Sequence, residues 1–157
     1  MTENVTQLFA VQEERAILLP DDGNEVTLLE LKLPEYVQGR QVKIDGSFQS
    51  NFFIGALPAV NDTLPSQPVS YKFVINYRLA AMFEGNRIQV SPILADTVSG
   101  VQLESDFQVE HSTAPNFTFG MNCLTADTIF LMASAAEMQG DVRDAFVRTR
   151  AMNLTVF

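Results

Sequence analysis

The sequence predicts an all-β protein, an antiparallel two-sheet sandwich of jelly-roll type with about eight strands. The first observation is residues 69–84, in which apolar and polar side chains alternate almost without error. Successive side chains of a strand point to opposite faces, so this alternation indicates a long strand with one buried face. Residues 41–54 and 101–110 repeat the pattern. Turn residues rather than amphipathic helices separate the apolar stretches, which favours a sandwich over an α/β fold.

The predicted domain organisation is a polar N-terminal arm, residues 1–14, followed by a single β-sandwich domain, residues 15–157. A chain of 157 residues is long enough to bury about two thirds of the surface that its unfolded form exposes. No stretch is rich enough in proline, glycine or serine to be a linker between domains. The sequence therefore predicts one core without a metal or disulfide to stabilise it.

Turn chemistry separates the predicted strands. These strands, in chain order, are residues 15–19, 25–33, 41–54, 69–84, 87–91, 101–110, 116–124, 128–136 and 146–157. The turn 20–24 contains proline, aspartate and glycine, and the connection 55–68 holds three prolines. Gly85 and Asn86 tolerate positive φ and predict a tight hairpin after the long strand. The alanine, glutamate, methionine and glutamine content of residues 133–148 suits a helix, so a short helical turn is expected near residues 141–146.

One core is expected to hold the apolar rows of three strands. Its large members are Phe48, Tyr71, Phe73, Ile75, Tyr77 and Phe107. Cys123, the single cysteine, continues an apolar row and is expected to be a buried small hydrophobic residue.

The strand 128–136 breaks the alternation because both of its faces are apolar. One face can pack into a single sandwich core, and the other needs cover from a loop, from the arm or from another subunit. Phe130, Met132 and Ala136 lie on the second face. We expect them to form an oligomer contact, while cover by the arm or by the connection 55–68 remains the alternative.

Charge and hydropathy exclude two classes of partner. Nineteen acidic and ten basic residues give a formal charge of −9, which repels phosphate backbones and argues against nucleic-acid binding. No stretch approaches the ~20 apolar residues of a membrane span, so membrane insertion is not expected. The N-terminus has neither a basic start nor an apolar run, which predicts that it carries no signal peptide.

Catalytic candidates are few, and no enzymatic activity is expected. His111 and Cys123 are the single residues of their types, and no nucleophile-elbow motif accompanies them. Glu104, Asp106 and Glu110 project from one side of the predicted strand 101–110, at a spacing of about 7 Å for neighbouring carboxylates. Two carboxylates at that distance would suit an inverting glycoside hydrolase, but a solvated outer face shows the same pattern.

No cofactor or metal is expected. The turn Asp21, Asp22, Asn24 and Glu25 gathers oxygen ligands of the kind that Ca²⁺ prefers. Its spacing does not match the twelve-residue calcium loop, and Asp-Gly-Asn is also ordinary turn chemistry. Calcium binding at this turn therefore stays open.

Three segments resemble small jelly-roll domains of the tumour-necrosis-factor and complement-type superfold, as found on bacterial spore surfaces and in phage virions. These segments are residues 41–48, 71–78 and 150–157, and the resemblance covers residues 15–157. It implies an assembly or binding module, a trimer as the stoichiometry, and a spore or virion surface assembled from cytoplasmic protein. No functional residue carries over from it.

Two functions follow as hypotheses. The first is a non-enzymatic structural module that self-associates, a homo-oligomer that builds a larger particle or surface layer. The alternative is a carbohydrate or small-ligand binding module, which would need exposed aromatic side chains on one face.

Overall fold

The computed structural model describes residues 6–58, 67–105 and 107–157, and there the chain forms eleven β-strands and one short 3-10 helix, Glu35–Val37. The strands are β1 (Gln7–Glu13), β2 (Ile17–Leu18), β3 (Val26–Lys32), β4 (Val42–Ile54), β5 (Val69–Phe83), β6 (Asn86–Gln89), β7 (Leu94–Gln102), β8 (Val109–Thr113), β9 (Asn116–Met121), β10 (Thr128–Gln139) and β11 (Val142–Val156). The predicted all-β, two-sheet architecture is confirmed.

The strands form two antiparallel sheets that face each other. In sheet 1, β11 lies beside β4; β1 and β2 pair with the outer side of β11, and β8 and β9 with the outer side of β4. In sheet 2, β10 lies between β3 and β5, and β6 and β7 pair with the outer side of β5. Each sheet is therefore four positions wide.

The eleven strands occupy eight positions because three positions hold two consecutive strands each. In chain order these positions are β1 with β2, then β3, β4, β5, β6 with β7, β8 with β9, β10 and β11. The first position pairs with the eighth, the second with the seventh, the third with the sixth and the fourth with the fifth. This nested pairing is that of an eight-stranded jelly roll.

Aromatic side chains from both sheets meet in the core. The rings of Phe52 in sheet 1 and Phe73 in sheet 2 lie 4.6 Å apart, and both side chains are fully buried. Phe48 meets Tyr77 edge-to-face at 5.2 Å. The prediction that Phe48, Phe73 and Ile75 belong to the core is confirmed.

Part of the predicted N-terminal arm belongs to sheet 1. Strand β1 pairs with β11 over seven residues, from Gln7 opposite Val156 to Glu13 opposite Arg150. Phe9 and Val11 pack against the core. The arm prediction for residues 7–13 was wrong because these two apolar residues alternate with polar ones in a segment whose composition is polar overall.

The predicted strand 101–110 is not one strand. Strand β7 ends at Gln102 and β8 begins at Val109. Gly100 lies within β7, where a Cβ atom would come within 2.6 Å of the Tyr71 hydroxyl. A glycine at this position therefore leaves room for the Tyr71 ring to approach the backbone closely.

Two other local predictions need correction. Residues 142–146 belong to β11 rather than to a helical turn; the strand is irregular between Arg143 and Phe146, and Asp144 has a φ of 49°. Cys123 is exposed, because it follows the end of β9 in a connection instead of continuing the buried row. The hairpin from β5 to β6 forms as predicted, with positive φ at Glu84 and Gly85.

Candidate functional site at the β7–β8 end of the sandwich

Three connections meet at one end of the sandwich, where β4 and β7 end and β8 begins. The backbone groups of Leu57 and Ser105 exchange two hydrogen bonds, of 2.8 and 2.9 Å. The Gln102 side-chain amide donates to the carbonyl of Gly55, whose N–H donates to the carbonyl of Asp141 at 3.0 Å. These bonds tie the β7–β8 loop to the segment after β4 and to the β10–β11 turn.

This end carries four large apolar side chains in solvent, which we call the loop-end surface: Val101, Leu103, Phe107 and Val109. Their exposed fractions are 54%, 71%, 77% and 39%. The Ser105 hydroxyl donates to the carbonyl of Phe107 and accepts from its N–H, which fixes the loop that presents the ring. The prediction that Phe107 lies in the core was wrong, because the apolar row already faces outward within β7, where Val101 is exposed and Gln102 is buried.

An open cavity of about 310 Å³ adjoins the loop-end surface. Ile54 and Tyr71 contribute to its apolar wall, and Gln102 and Ser105 add polar groups. His111 also lines the cavity, with its ring stacked on Phe52 at 5.5 Å and 5.4 Å from the ring of Tyr71. The histidine is thus held by aromatic contacts.

The pairing of His111 and Cys123 as catalytic groups does not form. His111 lies opposite Phe52, near one end of β4, whereas Cys123 follows the strand whose last residue, Met121, lies opposite Val42 at the other end. Ten residues of strand between these positions correspond to roughly 33 Å.

The predicted acid row is divided among different elements. Glu104 lies in the β7–β8 loop, and Glu110 lies in β8, where its carboxylate accepts a 2.8 Å hydrogen bond from the side-chain amide of Asn51. Asp106 lies outside the described residues. A three-carboxylate row on one strand, as the sequence predicted, therefore does not exist.

Acidic side chains of the turn after β2 are engaged in hydrogen bonds and an ion pair within the chain. The Asp22 carboxylate accepts hydrogen bonds from the backbone and the side-chain amide of Asn24, at 2.9 and 2.7 Å. Arg78 forms a two-bond ion pair with Glu25, with both distances 2.6 Å, which lowers the pKa of the Glu25 carboxyl below its ordinary value. Across ranges 6–58, 67–105 and 107–157, no three histidine, cysteine or acidic side chains are gathered as metal ligands.

Phe130 and Met132 lie on the outer face of sheet 2 but are only 2% and 7% exposed. The Arg87 guanidinium covers the Phe130 ring at 4.0 Å and also donates to Thr27 at 2.9 Å. The sequence predicted that a loop, the arm or another subunit covers this face. In the structure the cover comes from side chains of the same sheet. Ala136 is exposed on this strand. The oligomer contact at these three residues stays a prediction.

No family model and no curated protein matches the sequence. Among solved structures, the chain resembles that of the infectious bursal disease virus Gx strain, with a TM-score of 0.53, 10% identity, and coverage of 98% of this chain and 33% of that chain. It also resembles a mutant VP2 protein of infectious bursal disease virus in derived T=1 particles, with a TM-score of 0.51, 10% identity, and coverage of 96% and 32%.

These likenesses concern the fold, and the chain spans about a third of the length of the solved chains. They agree with the nested pairing of the two sheets. In the part of the chain that the structure describes, no helix is long and apolar enough to cross a membrane.

Proposed function

We propose that the chain is a non-enzymatic structural module that self-associates as a building block of a larger particle or surface layer. The observation that carries the proposal is the loop-end surface. Soluble monomers seldom expose contiguous apolar patches of more than a few hundred Å², and larger patches mark interaction sites. Burying a side chain of this size contributes about 1.5–3 kcal/mol, so covering the loop-end surface would strongly favour association.

The occupant that we propose is a second copy of this chain. Each copy presents a projecting ring, Phe107, next to an open cavity with apolar wall residues. The ring of one copy can therefore fill the cavity of the next, and such a contact closes into a ring of subunits when the rotation between copies permits. The trimer is the closed ring that we propose, and the fold shared with virus particle proteins supports an assembling module.

Three narrower statements belong to the same proposal. The relation to tumour-necrosis-factor and complement-type domains is supported by the jelly-roll pairing. A spore or virion surface is the proposed place of assembly, in line with the VP2 protein that forms T=1 particles. The outer face of sheet 2 at Phe130, Met132 and Ala136 of β10 is proposed as a second contact within the assembly.

The alternative function is a carbohydrate or small-ligand binding module. The observation in its favour is the cavity itself, since about 310 Å³ lies at the lower end of the range of ligand sites and two rings, Tyr71 and His111, line it. Jelly rolls also occur as lectin domains. A ligand of this kind would bind the isolated chain, whereas the self-association proposal requires a contact between copies.

Replacing Leu103 and Phe107 together by serine is expected to reduce an assembly of this chain to its 17.4 kDa protomer. Both side chains are largely exposed at the loop-end surface, so circular dichroism should remain unchanged. Sedimentation velocity measures the mass. The matched control is Leu8→Ser with Tyr36→Ser, two residues elsewhere that are 66% and 62% exposed, which should leave the assembly intact. A double variant that kept the wild-type mass would contradict the proposed contact.

A further inference from the structure

An open cavity of about 580 Å³ lies between the β1–β2 segment of sheet 1 and β3 of sheet 2, at the sandwich edge opposite to β7. We call it the arginine cavity; its charged lining residues are Glu13, Arg15, Glu30 and Arg150. The volume is within the range of ligand sites, about 300–1,000 Å³. Its lining residues differ from those of the loop-end surface, so its occupancy does not depend on the proposed self-association.

The arginine cavity forms where three elements depart from regular strand pairing. β3 has a bulge at Leu28, which the register with β10 skips. β11 has a bulge at residues 148–149, which lie opposite the single residue Gln49 of β4. The pairing of β11 with its outer neighbours is interrupted at residues 14–16, between β1 and β2. Bulges are common next to functional sites, where they re-aim a side chain.

Each of these irregularities supplies one backbone carbonyl to the Arg150 guanidinium. Nε donates to the carbonyl of Leu28, and Nη1 donates to the carbonyls of Arg15 and Arg148. Nε has one N–H group and Nη1 has two, so these three bonds leave the two N–H groups of Nη2. Arg150 is only 5% exposed, and Nη2 is the part of the guanidinium that solvent reaches. A buried cation is therefore held rigidly with two donors left for a ligand.

Glu13 places a charge of opposite sign beside Arg150 without touching it. The two residues lie directly opposite each other in the β1–β11 ladder, where Cβ atoms on one face are about 4.5–5.5 Å apart. Among the described residues, however, no carboxylate lies within ion-pair distance of Arg150. Burial lowers the pKa of the Arg150 guanidinium, and the Glu13 charge opposes this shift. A ligand that carries both charges can bridge the two side chains.

Apolar side chains and a balanced charge complete the arginine cavity. Leu28 is buried and Val11 and Ile17 are half-buried, and together they give the cavity an apolar wall. Two arginines and two glutamates make the formal charge of the lining zero. A ligand with a net negative charge would also be repelled by the charge of −9 on the chain. These features favour a zwitterion with an apolar side chain.

We propose that the arginine cavity binds a free α-amino acid with an apolar side chain. The carboxylate of the ligand accepts hydrogen bonds from Nη2 of Arg150, its ammonium group donates to the Glu13 carboxylate, and its side chain packs against the apolar wall. An α-amino acid carries both charged groups on one carbon, which matches two oppositely charged side chains that lie side by side.

Leucine and three smaller relatives test the proposal by NMR titration of the full chain. 4-Methylpentanoate lacks the ammonium group of leucine, 3-methylbutylamine lacks the carboxylate, and glycine lacks the side chain. We expect leucine to shift the amide resonances of Glu13, Arg15 and Leu28 saturably. Each of the other three should bind at least about tenfold more weakly, since a hydrogen bond to a charged group and the burial of a leucine side chain each contribute at least that factor.

Two variants locate the site. Glu13→Gln should weaken leucine binding about tenfold without weakening 4-methylpentanoate binding, because it removes only the partner of the ammonium group. Glu14→Gln is the matched control, an exposed neighbour outside the cavity lining, and should bind leucine like the wild type. Ala16→Trp, at an exposed position of the cavity rim, should abolish leucine binding.

The substituted positions are exposed, so the circular dichroism of all three variants should match that of the wild type. Leucine shifts that do not saturate, or equal affinities for leucine and 4-methylpentanoate, would overturn the proposal. Wild-type affinity for leucine in Glu13→Gln or in Ala16→Trp would overturn it as well.

Discussion

Replacing Phe73 by alanine is expected to lower the free energy of unfolding by about 3–5 kcal/mol. The side chain is fully buried at the interface between the two sheets, with its ring 4.6 Å from that of Phe52. The substitution removes apolar area from the core, leaves a cavity, and deletes an aromatic pair that contributes about 0.5–1.5 kcal/mol beyond its area. Urea unfolding followed by circular dichroism measures the change.

Phe107→Ala is the matched control for this prediction. It is the same substitution at a ring that is 77% exposed in the β7–β8 loop. Its effect on the unfolding of the protomer should stay within about 0.5 kcal/mol, as for surface substitutions in general. Equal losses for the two variants would contradict the assignment of Phe73 to the core and of Phe107 to the surface.

Replacing Arg150 by alanine is expected to cost about 2–4 kcal/mol, because its guanidinium joins three stretches of backbone at one edge of the sandwich. Nε donates to the carbonyl of Leu28 at 2.5 Å, and Nη1 donates to the carbonyls of Arg15 and Arg148. Arg150 is buried without a carboxylate within ion-pair distance among the described residues, and burial lowers the pKa of its guanidinium. Its hydrogen bonds to carbonyls therefore carry its contribution.

Arg148→Ala provides the control for Arg150, since it removes a guanidinium from the same strand. Arg148 is exposed and stacks on Phe146 at 5.0 Å, without a buried carbonyl to satisfy. We expect a loss below about 1 kcal/mol. Arg150→Lys should rescue only part of the stability, because a single ammonium group lacks the planar fork of donors. Full rescue by lysine would show that charge alone matters at this position.

The fold could be predicted from the sequence wherever a strand has one buried and one polar face. Residues 69–83 show this alternation, and β5 follows it, with Phe73, Ile75 and Tyr77 in the core. The prediction of a strand at 101–110 was wrong, because small residues along Leu94–Gln102 give no alternation that would reveal β7.

The candidate site could not be predicted because the alternation of residues 101–109 does not reveal that its polar face is the one turned inward. In β7 the apolar Val101 faces solvent, whereas the polar Gln102 points inward, where its side chain is tied to Gly55, 47 positions earlier in the chain. No local pattern reports a contact over that distance. At Phe130 the sequence led to the opposite error. Its strand is apolar on both faces, which suggested an exposed contact, but Arg87 of the neighbouring hairpin covers the ring.

Sedimentation equilibrium of the unmodified chain over a hundredfold range of concentration tests the assembly proposal most directly. We predict a mass that is a multiple of 17.4 kDa, with three protomers as the expected number, and tighter association at higher salt because each copy carries a formal charge of −9. A mass of 17.4 kDa at every concentration and salt level would contradict the proposal that this jelly roll is a self-associating building block.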